Sequence, residues 1–140
     1  MILLDTSVLM PIALVDHTHH RASTELFNFL TPSNSAISAH AIAETYASLT
    51  AMPPAQRLSP TEVVTVIDVF LKRLTPIALS PEEYLQSVRG AAKLGHTSGM
   101  IYDALHLACA RKIEAEYIYT WNLKHFRILA PDLAGRILTP

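Results

Sequence analysis

Three acidic residues of this chain stand where acids are uncommon. Asp5 closes the aliphatic run Met1-Ile2-Leu3-Leu4 and is followed at once by two hydroxyls, Thr6 and Ser7. Glu44 lies among Ala41, Ile42, Ala43 and Ala47, and Asp103 is the only acid in the apolar stretch from Met100 to Ala110. Asn122 adds a polar amide just past another strand-like run, Glu116-Tyr117-Ile118-Tyr119-Thr120. A carboxylate taken out of water is costly unless a cation or a hydrogen-bond network offsets it. Arg21, Arg57, Lys72, Arg73, Arg89 and Lys93 fall mostly on polar faces and offer no evident partner for each acid. Oxygen donors meeting from several elements suit a hard cation, Mg²⁺ or Mn²⁺. On pattern alone two blander readings stay open. Asp5 could cap the following helix, and the three acids could be unrelated surface charges.

Other chemistries are weaker. The histidines of Asp16-His17-Thr18-His19-His20 do not share one helical face, and no cysteine or acid follows at zinc-site spacing, so a solvated loop is expected. His106, three residues after Asp103, shares roughly its side of a helix. It reads as a polar contact inside the core rather than a ligand, since hard cations prefer oxygen. Trp121 either packs beside its strand end or stacks on a nucleic-acid base. Arg111, Lys112, Lys124 and Arg127 either follow a phosphate backbone or are solvated. No Ser–His–Asp order, phosphate-cradling glycine loop or nucleophilic cysteine competes.

The elements that must position these groups alternate between strand and helix. Strands are expected at Met1–Leu4, Ser35–Ser38, Leu74–Leu79, Glu116–Thr120 and, at the tail, Arg136–Thr139. Pro76 demotes the third towards an edge. Helices are expected from Val8 to Val15 with Pro11 in the first turn, and from a Thr18 cap to about Leu30. Others run from Ala39 to Thr50 behind a Ser38 cap, from Ser59-Pro60 to near Arg73, and from Ser80-Pro81 to about Leu94. The helix opening at Ser98 or Gly99 is apolar nearly all round and should be central. Such alternation predicts an α/β fold: a mostly parallel sheet of four to five short strands covered by helices on both faces. Ligands bind such sheets beyond the carboxyl ends of the strands, where Asp5 and Asn122 fall.

The 140 residues are expected to form one domain, and a chain half apolar and only 16% charged is no disordered tail. A net charge of −1 gives no global pull on nucleic acid or membranes, so any such contact must be local or metal-mediated. The single cysteine, Cys109, reads as core, and no export signal or membrane span is visible, so a cytoplasmic setting is expected.

The stretches Leu3-Leu4-Asp5-Thr6-Ser7-Val8-Leu9, Ala43-Glu44-Thr45, Tyr102-Asp103-Ala104-Leu105-His106 and Thr120-Trp121-Asn122-Leu123-Lys124-His125-Phe126 resemble the four signatures of the PIN domain. Their order and the chain length resemble the VapC toxins of bacterial toxin–antitoxin pairs. The resemblance implies metal-dependent cleavage of RNA phosphodiesters. Asp5, Glu44 and Asp103 would hold Mg²⁺ or Mn²⁺, and Asn122 would fill a fourth position that is aspartate in many relatives. Thr6, Ser7 and Thr120 would fix the carboxylates by hydrogen bonds. It also implies a homodimer and a cognate antitoxin laid across each active site. Two rivals are an RNA-processing nuclease without antitoxin and a degenerate PIN fold that only binds. The intact acids argue against the second, and Asn122 keeps it open.

Overall fold

The chain folds around its first strand. The computed structural model describes all 140 residues and contains one sheet of five strands, every pair parallel, in the order β3-β2-β1-β4-β5. β1 (Ile2–Leu4) lies between β2 (Ser35–Ser38) and β4 (Tyr117–Tyr119), with Leu3 opposite Ala36 and Ile118. β3 (Thr75–Ile77) is an edge strand, which suits Pro76 because an edge need not use every backbone N–H. β5 (Ile137–Leu138) forms the other edge.

Successive side chains of a strand point to opposite faces, so Leu3 and Leu4 seed separate cores. Leu3 packs with Leu107, Cys109, Ile118, Phe126 and Ile137, and Leu4 packs with Val8, Leu9, Phe27, Ile37, Phe70 and Leu74. The helices are α1 (Thr6–Ala13), α2 (His20–Asn28), α3 (Ala39–Thr50), α4 (Pro60–Leu71), α5 (Pro81–Lys93), α6 (Met100–Lys112) and α7 (Leu123–Leu129), and all but α5 contribute to these clusters. Both faces are covered, as a parallel sheet requires. No helix is long and apolar enough to cross a membrane.

Local signals place most helix starts. The Ser38 hydroxyl accepts the Ala41 N–H, and Ser59 with Glu62 and Ser80 with Glu83 form capping boxes ahead of Pro60 and Pro81. Four expectations are corrected. α1 begins at Thr6, which puts Pro11 inside the helix instead of in its first turn. A missing N–H there is tolerable because the helix ends two residues later, at Ala13. The residue before α2 is His19, not Thr18, and its side chain makes no cap. The third and fifth strands are shorter than expected. A helix, α7, and a 3₁₀ turn (Pro131–Arg136) occupy a stretch where the sequence reading assigned no helix. α7 has only seven residues and is held by Phe126, fully buried against the sheet.

The chain winds from β1 through β2 to β3 on one side, then crosses to β4 and β5 on the other. The switch point between β1 and β4 is where open α/β sheets form their binding crevice.

Candidate active site

Asp5 leaves β1 at that crevice. Its backbone N–H donates to the Tyr119 carbonyl (3.0 Å), which continues the ladder, and its residue is 2% exposed. Although it occupies the position before α1, its side chain makes no cap bond. The carboxylate turns instead into a clamp of hydroxyls. Oδ2 accepts from Ser7 Oγ (2.5 Å) and Thr120 Oγ1 (2.8 Å). Each hydroxyl is itself fixed by a backbone N–H, Trp121 donating to Ser7 Oγ and Asn122 to Thr120 Oγ1 (both 2.9 Å). The helix-cap reading of Asp5 is therefore set aside.

Glu44 comes from the second turn of α3 and Asp103 from the first turn of α6. Between Glu44 and Asp5 lies His106, fully buried, one turn along α6 from Asp103. Its Nε2 is 3.0 Å from Glu44 Oε2 and 3.4 Å from Asp5 Oδ1, while Nδ1 meets Ser38 Oγ at 2.8 Å. Ser38 Oγ also accepts the Ala41 N–H, which fixes it against Nδ1, and a proton on Nε2 faces the two acids. Thr6 Oγ1 donates to the same Glu44 oxygen (2.8 Å). The sequence reading found no basic partner for these acids; the structure supplies an imidazole. His106 was expected as a core polar contact, and it is one, but its contacts are the acids themselves.

The charges respond to this geometry. Burial pushes the His106 imidazole down, yet its hydrogen bond to Glu44 and the Asp5 charge outweigh that and raise it overall. Burial pushes the Glu44 carboxyl up, and hydrogen bonds with His106 and Thr6 bring it below its ordinary value. Asp103 is less well compensated. Burial, followed by the negative charge of Asp5, pushes its carboxyl up to about 6. His125 Nδ1 on α7 lies 3.5 Å from its Oδ2 and is half exposed.

Asn122 is exposed at the mouth and joins the site through its backbone; its side chain does not cap α7. It lines a cavity of about 270 Å³ with Trp121, Leu123, Lys124 and His125. Of the other candidates, Arg111 pairs with Asp132 (2.8 Å) and Lys112 with Glu83 (2.8 Å). Both line a cavity of about 530 Å³ between α5 and α6 that none of the three acids touches. Arg127 donates to the Ile137 carbonyl, which leaves Lys124 as the basic residue at the mouth. His17 is exposed as expected, whereas His19 stacks on Trp121 and His20 bonds the Pro11 carbonyl. Cys109 is buried, and its thiol is pushed up to about 11 by that burial.

The donor set suits a hard divalent cation. Three carboxylates converge, all oxygen donors, and burial, with the Asp5 charge second, leaves the ionised form of Asp103 disfavoured where a cation would favour it. No three of the acid, histidine or cysteine side chains form a finished metal cage in this arrangement.

A family model described as "PIN domain" matches residues 2–129. Ribonuclease VapC27 of Mycobacterium tuberculosis is 32% identical over 112 residues, 80% of this chain and 78% of that protein. Among solved structures, the fold is similar to Mycobacterium tuberculosis VapC20, described as a sarcin-ricin loop cleaving toxin. That likeness has a TM-score of 0.76 at 17% identity and covers 100% of both chains. VapBC-1 from nontypeable Haemophilus influenzae is similar with a TM-score of 0.69 at 18% identity, covering 99% of this chain and 98% of that one.

Proposed function

Because the chain belongs to the PIN domain family, we propose that it is a metal-dependent endoribonuclease that hydrolyses RNA phosphodiesters, the toxin of a toxin–antitoxin pair. Residues 1–140 act as one nuclease domain in the cytoplasm, as a homodimer that a cognate antitoxin holds inactive. The observation that carries this reading is the convergence of Asp5, Glu44 and Asp103 at the switch point of the sheet. His106 lies between two of them and His125 beside the third, and the Asp103 carboxyl remains raised. The related VapC27 bears the name ribonuclease, and the VapBC-1 likeness supports an antitoxin partner.

When bound, Mg²⁺ or Mn²⁺ supplies positive charge for the attacked phosphate and acidity for an attacking water. The chain's own part is positional. Ser7 and Thr120 hold Asp5 in one rotamer, while Thr6 and His106 hold Glu44, so both present oxygens at fixed places. Asp103, the least compensated acid, has the most to gain from a cation. Asn122 offers a neutral oxygen at the mouth, and Lys124 offers charge for the RNA backbone.

The test is incubation of the purified protein with total RNA and Mn²⁺ or Mg²⁺, with end mapping of the products. Discrete cuts that vanish in chelator, and in Asp5→Asn, Glu44→Gln and Asp103→Asn, are expected. Undiminished cleavage by metal-stripped protein would overturn the metal role. Near-normal cleavage by any one variant would remove that residue from the site.

A further inference from the structure

Trp121 is the ring that the sequence offered for base stacking, and the structure engages it elsewhere. His19 stacks on it at 3.7 Å between centroids and 10° between planes, its Nε1 donates to Ser23 (3.0 Å), and it packs against the core. A different ring stands open beside the acids. Tyr102 directly precedes Asp103 on α6, and His40 lies one turn before Glu44 on the same side of α3. The two rings stack across the helix pair at 4.7 Å and 24°. The His40 ring is also 6.3 Å from that of His106, which touches Glu44.

We propose that Tyr102, backed by His40, is the platform on which a nucleobase adjoining the scissile phosphate of single-stranded RNA stacks. This rests on the ribonuclease reading. Tyr102 belongs to neither core cluster and is 43% exposed, with His40 its one aromatic neighbour, so part of the ring stays open to solvent beside the stack. A large ring left in water at an active-site rim has a use when a flat ligand covers it. Every base has a π-face, so such a platform accepts any base and grades them by stacking area, purines above pyrimidines. The pair sits one residue from Asp103 and one helical turn from Glu44, so a base stacked there holds its own phosphate beside the carboxylates.

The experiment measures binding of fluorescein-labelled decamers by anisotropy in Ca²⁺, with strand integrity checked on a gel. The probes are oligoadenylate, oligouridylate and an abasic ribose-phosphate decamer. Wild type should bind oligoadenylate roughly tenfold more tightly than the abasic strand, within the range for one base–aromatic stack. Tyr102→Ala should lose that difference while binding the abasic strand like wild type, and Tyr102→Phe should keep it. Tyr117 is a matched control, 38% exposed at the amino end of β4 and so at the opposite edge of the sheet. Tyr117→Ala should behave as wild type. A Tyr102→Ala protein that keeps the full preference for oligoadenylate overturns the platform and leaves the ribonuclease reading standing. So does a variant equally weakened on all three strands. A wild type that binds none of them and cuts no cellular RNA overturns both.

Discussion

Replacing Asp103 with asparagine should make the metal-free protein more stable while abolishing most cleavage. Burial and the Asp5 carboxylate raise the Asp103 carboxyl from its ordinary 3.8 to about 6. The folded protein thus holds this proton more tightly than the unfolded chain does. Its contribution to stability is present below about pH 4 and is lost as pH rises through about 6. At neutral pH the ionised side chain opposes folding. Two pH units correspond to about 3 kcal/mol as a ceiling, and partial exposure with solvent screening reduces that to about 1–2 kcal/mol. For a chain of this length, 1 kcal/mol moves the melting temperature by about 3–4 °C, so Asp103→Asn should melt about 3–8 °C higher. The assay is thermal unfolding followed by circular dichroism in chelator, at pH 7.5 and pH 5.0. The gap between variant and wild type should shrink at the lower pH, where wild-type Asp103 is mostly protonated. Adding Mn²⁺ at pH 7.5 should stabilise wild type more than the variant. A variant no more stable at pH 7.5, or one whose advantage is equal at both pH values, would refute the claim of unrelieved charge at Asp103.

Three further outcomes are expected. Asn122→Asp adds a carboxylate at the mouth and should tighten Mn²⁺ binding in calorimetric titration; an unchanged isotherm would show that position 122 does not set metal occupancy. Thr45 is buried with no partner for its hydroxyl, so Thr45→Val should gain about 1 kcal/mol in denaturant unfolding. A loss would show that the hydroxyl is satisfied. Val64 and Val69 on α4, with Leu85 and Val88 on α5, are exposed, aliphatic surface of the kind a second copy of the chain would cover. Light scattering at tens of micromolar should give a dimer mass, and a monomer mass would remove the dimer.

Much of the architecture could be read from short stretches, because the forces that set it are local. A serine followed by proline and glutamate satisfies the free N–H groups of one helix end within four residues, so α4 and α5 announce themselves at Ser59 and Ser80. Leu3 and Leu4 ahead of Asp5 say buried strand followed by a polar exit, and Pro76 says edge. α7 gave no such signal. It is only seven residues long and has no side-chain cap at its start, and it is helical because Phe126 is anchored in the core, a tertiary cause.

The three acids were likewise legible, since a carboxylate in an apolar stretch is conspicuous in any sequence. Their partners were not. Thr120 reaches Asp5 across 115 residues of chain, and Ser38 reaches His106 across 68. Those contacts exist because β4 and β2 flank β1, and periodicity carries no information about which strand lies beside which. Only strand order turns three costly acids into one site, because burial cost belongs to each residue alone whereas its relief depends on what the fold brings alongside.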